Sequence, residues 1–318
     1  MTNKIELAHW LQVIDTEYLA SYIPEGGSSV KVAVASDHLV PALNTGLDDL
    51  CRERDCLVLR LDAKAMRANM PQDFFFSLAR QLDWRTLARR FILELASRKG
   101  HDATGVSPET AGIYETIAEA NDVSSLMVRA ELRPEIEREV FRDPNMAKDF
   151  RVCMSQLCWK EFDRHEYTGQ PLLDWLTGEN TRIGPVRPFE ISGGIKRTTA
   201  RYFIESSLHW IQKSGHSGTV VLFDNRRVTL SRNPKDGHRY YTRAITLEHY
   251  EMLREFIDSA DRLSNTLMII LTSNEFLDAS PESRSRGYGI YPALQTRVMD
   301  DVRDPHRANP VASLVVLS

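Results

Sequence analysis

The sequence predicts an α/β fold: a parallel five-stranded sheet flanked by helices, with a helical insertion between the second and third strands. Five short runs are rich in β-branched and aliphatic residues and nearly continuous in their apolar character, which is how strands buried on both faces read. Helical patterns separate the runs, as crossovers between parallel strands require. The long interval from about Lys99 to Asn180 carries helical patterning and no strand signal.

The first run is Val30–Ser36 (VKVAVAS), followed by a helix over Pro41–Glu53. The second, Cys56–Asp62 (CLVLRLD), leads into a helical pattern over Asp73–Ser97 with apolar positions at Phe74, Leu78, Leu87 and Phe91. Inside the insertion, Glu109–Asn121, Arg133–Arg142 and Asn145–Arg164 read as helices. Thr198–Ser214 leads into the third run, Thr219–Asp224 (TVVLFD), and Leu247–Leu263 into the fourth, Thr266–Thr272 (TLMIILT). The fifth is Ala312–Leu317 (ASLVVL). Ser192-Gly-Gly194 and Asn233–Gly237 are turn punctuation, and Pro281–Gly289, with Ser and Arg interleaved, reads as an exposed loop. The expected organisation is an N-terminal part of the α/β core over 1–98, the helical insertion over 99–180, and a C-terminal part of the core over 181–318.

With 318 residues, 42% of them hydrophobic, the chain can bury a sizeable core in one or two domains. A net charge of −4 excludes a wholly basic nucleic-acid binder while leaving room for a local basic patch. No run approaches the roughly 18 apolar residues of a membrane span, and the N-terminus has no apolar signal region, so no membrane partner and a cytoplasmic location are expected. The cysteines fall as Cys51/Cys56 and Cys153/Cys158. Zinc ligands usually sit closer together, and a five-residue step puts the second pair on different faces of a helix. Reduced, buried thiols and no metal site are expected. No H-E-x-x-H and no G-x-S-x-G is present to support zinc-protease or serine-hydrolase chemistry.

The strongest chemical signal is the run Gly218–Asn225, an apolar strand ending in Asp224 with Asn225 next. In ATP-hydrolysing P-loop proteins such a strand ends in Asp-Glu, where the Asp orients Mg²⁺ and in many of them the Glu polarises the attacking water. An amide is not a base. The first strand of those proteins leads into G-x-x-x-x-G-K-[ST], whose backbone N–H groups and lysine wrap the phosphates. Here it leads into Ser36-Asp-His-Leu-Val-Pro-Ala-Leu43, with no glycine and no lysine, and no Gly-Lys pair occurs anywhere in the chain. Asp37 repels phosphate and Pro41 withholds a backbone donor. The bland alternative is a plain strand–helix turn. The dipole of the following helix still attracts anions, which leaves room for weak Mg-ATP binding.

Several segments, in order, resemble the ATP-binding proteins of bacteriophage-exclusion (BREX) systems, a branch of the AAA-like P-loop ATPases. They are Ile23-Pro-Glu-Gly-Gly27 ahead of the first strand, Val58–Asp62, Trp175-Leu-Thr-Gly178, Gly194-Ile-Lys-Arg-Thr-Thr-Ala-Arg201, Gly215–Asp224, Tyr250–Asp258, Leu271-Thr-Ser-Asn-Glu-Phe276 and Tyr288–Arg297. The resemblance implies that the sheet is a P-loop (AAA-like) sheet. It implies that Asp224 matches the Mg²⁺-orienting acid and that Asn225 replaces the catalytic Glu. Thr272 or Ser273 matches a polar sensor of the γ-phosphate, and Arg297 an arginine that faces a neighbouring subunit's nucleotide. Ser36, Asp37 and His38 stand where the phosphate loop belongs. The chain also stops at Ser318, where the family continues into a helical lid. These departures imply a pseudo-ATPase with no cofactor expected, serving as a structural or regulatory subunit of an anti-phage or DNA-processing complex. Its expected partners are protein subunits, either further copies or an active ATPase sibling. The alternatives are a slow or unconventional ATPase or nucleotide-dependent switch, and a DNA-binding adaptor.

The adaptor reading draws on the segment after the acidic strand. Arg226, Arg227, Arg232, Lys235, His238, Arg239, Tyr240, Tyr241 and Arg243 combine cations for phosphates with rings for stacking on bases. A solvated loop is the bland reading of the same residues. A second cluster, Arg80, Arg85, Arg89 and Arg90, reads as a salt-bridged helix surface with Asp83 and Glu94 nearby.

Overall fold

A computed structural model describes residues 4–162, 167–282, 284–299 and 308–318. Arg164, at the end of one expected helix, and Ser283, within the expected 281–289 loop, lie outside the described residues. All five expected strands form: β1 (Ser29–Val34), β2 (Cys56–Asp62), β3 (Gly218–Asp224), β4 (Thr266–Thr272) and β5 (Leu314–Val316). They make one all-parallel sheet in the order β2-β3-β4-β1-β5. β1 stops short of Ser36 because the chain turns there, although Ala35 still donates its N–H to Thr272 O at 3.0 Å. β5 is shorter than expected, and Leu317 beyond it donates its N–H to Val34 O at 2.8 Å and also bridges to Ile5.

The chain divides into two compact units, one being Phe75–Gly215 and the other holding the sheet. On one sheet face lie α1 (Leu7–Val13), which runs on as π-helical turns through Tyr22, and α2 (Val40–Glu53). Leu43, Leu47 and Cys51, spaced one helical turn apart, are buried in the same core as Val220, Leu222, Ile269 and Leu271. Burial pushes the Cys51 thiol up to about 12, and all four cysteines are buried free thiols.

The single helix expected over Asp73–Ser97 is two, α3 (Pro71–Ala79) and α4 (Trp84–Arg98). Asp83 causes the break. Its carboxylate accepts the N–H groups of Arg85 (3.1 Å) and Thr86 (3.0 Å), a capping geometry that starts a new helix.

The unit Phe75–Gly215 is helical: after α4 come α5 (Ile113–Ala120), α6 (Ser125–Ile136), α7 (Lys148–Lys160), α8 (Gln170–Thr177) and α9 (Ala200–Lys213). α6 begins well before the expected Arg133, where the Ser124 hydroxyl accepts Leu126 N–H at 3.3 Å. The core of the unit is aromatic, with Phe91 on Trp210 (5.2 Å between centroids) and Phe203 meeting both Phe150 (5.9 Å) and Trp175 (5.6 Å). The expected arginine surface is corrected here. Arg85 and Arg89 pair with Glu161, a fully buried carboxylate, at 2.6 and 2.5 Å. Arg80 and Arg90 donate to the backbone carbonyls of Thr177 and Ser214. Glu161 is a long-range partner that sequence spacing does not suggest.

The other sheet face carries α10 (Arg243–Asp258), on which α11 (Pro292–Val298) packs. Phe223 of β3 meets Phe74 (5.6 Å) and His249 (5.5 Å), and Phe74 meets Phe256 (5.3 Å). The 281–289 segment is only partly the exposed loop expected, because Ser285–Gly289 are buried. The Tyr250 hydroxyl donates to Arg286 O, and the Tyr288 ring packs on Phe276 at 5.6 Å. Gly289 permits this fold-back, since a Cβ there would lie 2.1 Å from Ala279 C. Among the described residues no helix is long and apolar enough to cross a membrane.

Candidate functional site at the carboxyl edge of the sheet

The strand order fixes where a ligand crevice belongs. From β1 the chain leaves toward β2, past β4 and β3, whereas from β4 it leaves toward β5, past β1. Neighbouring strands whose connections diverge open a crevice at their carboxyl ends. Ser36 and Asp37 follow β1, Thr272 ends β4 with Ser273 after it, and Asp224 ends the adjoining β3 with Asn225 after it, so the fold gathers all six at one edge.

β1 passes through Ser36 into a single 3-10 turn, Asp37–Leu39, and straight into α2 with Pro41 in its first turn. Ser36 Oγ lies 3.0 Å from His38 Nδ1, and the Asp37 side chain is 94% exposed. On β3, Asp224 belongs with Val220 and Leu222 on the α2 face, and its register neighbour on β2 is Asp62. Its Oδ1 accepts the backbone N–H (3.1 Å) and the Nε–H (3.0 Å) of Arg226, and its Oδ2 accepts Nη2–H at 2.5 Å. The Nη1 of the same guanidinium donates to Asp37. Arg226 thus lies between two carboxylates, and the hydrogen bonds to Asp224 raise its pKa further above the ordinary arginine value.

Asn225 continues the opposite series, Val221 and Phe223, toward α10. It is fully buried, and neither its Oδ1 nor its Nδ2 has a hydrogen-bond partner among the described residues. Thr272 follows Met268 and Ile270 on the same face of β4, also fully buried, and its Oγ1 has no partner among the described residues. Nearby on α10, buried His249 donates from Nδ1 to Ala68 O (2.9 Å), and desolvation pushes its pKa down to about 4. Ser273 is tied to Thr229 at 3.0 Å, and Thr229 donates to Arg226 O at 2.9 Å. Arg297 lies elsewhere. It donates to Asp258 at 3.0 Å, and Asp258 ends α10, which runs back from the carboxyl edge toward the start of β4. A helix of that length spans about 24 Å, so Arg297 is at the opposite edge of the sheet from Asp224.

The residues at the edge do not fit a magnesium triphosphate as arranged. Phosphates need backbone N–H donors and a cation, and the β1–α2 connection presents an exposed carboxylate with no glycine. A hydrated Mg²⁺ needs a free carboxylate oxygen, and both oxygens of Asp224 are taken by Arg226.

The basic loop after β3 separates into anchors and exposed cations. Arg227, 3% exposed, donates twice to Asp236 at 2.7 Å and also to Arg239 O and His238 O. That pairing holds the Asp236 carboxyl down at about 2. The Tyr241 hydroxyl is buried 2.7 Å from the carbonyls of Ala63 and Met66 and accepts Ala68 N–H at 3.1 Å. Arg243 donates to Glu282 O and Pro281 O, and half-buried Tyr240 to Ser231 O. Arg226, Arg227, Tyr241 and Arg243 are therefore turned to internal partners, leaving the side chains of Arg232, Lys235 and Arg239 exposed. Sequence reasoning missed Asp62, Thr229 and His249. Only Asp62, an acid ending an expected strand, left a signal that a closer reading would have used.

Residues 112–318 match the family described as BREX system ATP-binding protein BrxC/D. No curated protein and no solved structure matches the chain.

Proposed function

The chain belongs to the BREX system ATP-binding protein BrxC/D family, and we propose that within such a system it is a non-hydrolysing member that works as a structural or regulatory subunit. The observation that carries this reading is the β1–α2 connection. Where phosphates would need donors, it offers the exposed carboxylate of Asp37, and the guanidinium beside it, Arg226, is bound to acids. The buried amide of Asn225 adds to it, because an amide at that position accepts no proton from water. In this role the α/β unit supplies surfaces for self-association or for an active ATPase sibling, and Arg297 at the far edge, paired with Asp258 and 39% exposed, would exchange that carboxylate for a group on a neighbouring subunit. Steady-state ATP turnover and Mg-ATP calorimetry on the purified chain test the proposal, with neither turnover nor a binding isotherm expected. Turnover that Asp224→Asn abolishes would overturn it in favour of a slow ATPase.

A second reading, contact with DNA, is favoured by one observation. Arg232 and Lys235 are exposed and have no ion pair among the described residues, while the base of their loop is fixed by Arg227 and Tyr241. A gel shift at low salt that the triple variant Arg232→Ala, Lys235→Ala, Arg239→Ala removes would support it, and no shift at low salt would end it.

A further inference from the structure

We propose that Arg226 is a tethered cation. Its guanidinium fills, between Asp224 and Asp37, the place a divalent metal would take at the carboxyl edge of β3, and it closes that place to Mg²⁺ and Mn²⁺. The inference takes the location of the site from the reading above, and its consequence holds whatever the chain does with ATP.

The geometry uses the Asp224 carboxylate up. Asp224 Oδ1 receives the backbone N–H of Arg226 at 3.1 Å and its Nε–H at 3.0 Å. Oδ2 receives Nη2–H at 2.5 Å and Nε–H at 3.2 Å. A carboxylate offers about four lone-pair directions, and a guanidinium fork is shaped to occupy them two at a time. Mg²⁺ would need one of them at about 2.0–2.1 Å, inside the volume the fork already fills. The remaining amine, Nη1, reaches across to Asp37, 189 residues away in sequence, so the fork also joins the turn after β1 to the end of β3.

The arginine is held as well as placed. Its backbone N–H is capped by Asp224, its carbonyl accepts from Thr229 at 2.9 Å, and Val228 N–H closes on Asn225 O at 3.0 Å. The turn therefore fixes the Cα from which the side chain reaches. The side chains of Arg226 and Asp224 are 22% and 24% exposed, whereas that of Asp37 is 94% exposed. The inner contact is sheltered and the outer one is screened by solvent. A cation tethered two residues from its partner competes as an intramolecular ligand, at an effective concentration on the order of millimolar or above. Free Mg²⁺ must displace it to reach the Asp224 oxygens. Removing the guanidinium would leave Asp37 and Asp224, with Asp62 in register beside Asp224, as an uncompensated oxygen cluster of the kind hard cations bind.

The test is a Mn²⁺ titration of the full chain, followed by electron paramagnetic resonance of the free ion and by calorimetry. The proteins are the wild type, Asp224→Asn, Arg226→Gln, Arg226→Met and the double variant Arg226→Gln, Asp224→Asn, each checked for native far-ultraviolet circular dichroism. The wild type is expected to show no site, Arg226→Gln and Arg226→Met to bind one Mn²⁺ at least tenfold more tightly, and the double variant to lose it. A wild-type Mn²⁺ site that Asp224→Asn removes overturns the proposal, and this holds even if the Arg226 variants fail to fold. Natively folded Arg226 variants that bind no more tightly than the wild type overturn it too. ATP turnover is not read in this experiment, so its failure is separate from failure of the pseudo-ATPase reading.

Discussion

In the helical unit one carboxylate, Glu161, lies between two guanidinium groups; at the sheet edge one guanidinium, Arg226, lies between two carboxylates. The two clusters are mirror images in charge and opposites in exposure. The Glu161 side chain is 0% exposed and that of Arg89 7%, with Arg85 stacked 3.7 Å from the Tyr167 ring centroid. Charges removed from water to that degree depend on one another, and taking one away strands the rest in a medium that cannot solvate them. At the edge, Asp37 is almost wholly in water, so the outer half of the cluster contributes less to stability. Burial, more than the identity of the ions, separates a part of the scaffold from a part of a site.

The largest expected effect tests the buried member. Glu161→Gln leaves two guanidinium groups facing a neutral amide, and should cost about 3–5 kcal/mol in urea unfolding. A loss below about 1 kcal/mol would make the two clusters equivalent and break the contrast.

Next comes pH, through a buried group in the sheet unit. His249 has a folded pKa of about 4 against an ordinary 6.5, so the unfolded chain takes up its proton first as pH falls. The stability that depends on neutral His249 is complete above about pH 6.5 and drains away between there and about pH 4. The total approaches about 3 kcal/mol, since each pH unit between the two values contributes roughly 1.4 kcal/mol. Urea midpoints at pH 7 and pH 4.5 measure it, and His249→Asn should flatten the difference. If it does, burial sets the penalty in both units alike.

A smaller effect, of opposite sign, is expected at Asn225. Its two polar atoms are buried without partners among the described residues, so Asn225→Leu should raise stability by about 1 kcal/mol. A loss instead would reveal an ordered water or other partner beside Thr272. The smallest effect belongs to the exposed cluster: Arg226→Gln should cost about 1 kcal/mol or less, and less again at high salt.

The fold is readable because its signals are local. Five apolar runs become five strands, and β2 and β4 end where composition places them: β4 is buried along its whole length, and β2, half-buried at the sheet edge, still carries its apolar run in its own sequence. The break before α4 is also written locally, in Asp83 and the helix start after it, but the apolar period runs on across it and masks it. What escapes is non-local. Nothing near Arg226 announces Asp37, and nothing near Arg85 announces Glu161, because those pairs are made by chain segments far apart in sequence. Arg227 and Tyr241 have the composition of a binding surface and the burial of a core, a distinction that residue type alone does not carry.

Those two stitches have a consequence in counterions. They fix the base of a loop in which three of six Arg and Lys side chains are turned to internal partners, and three, Arg232, Lys235 and Arg239, stay exposed. A duplex meeting those three cations would release about one condensed ion for each phosphate neutralised, so affinity would fall with salt along a logarithmic slope no steeper than about −3. Such a contact can be made and broken at ordinary ionic strength, and it would hold the chain to DNA only in the company of other subunits.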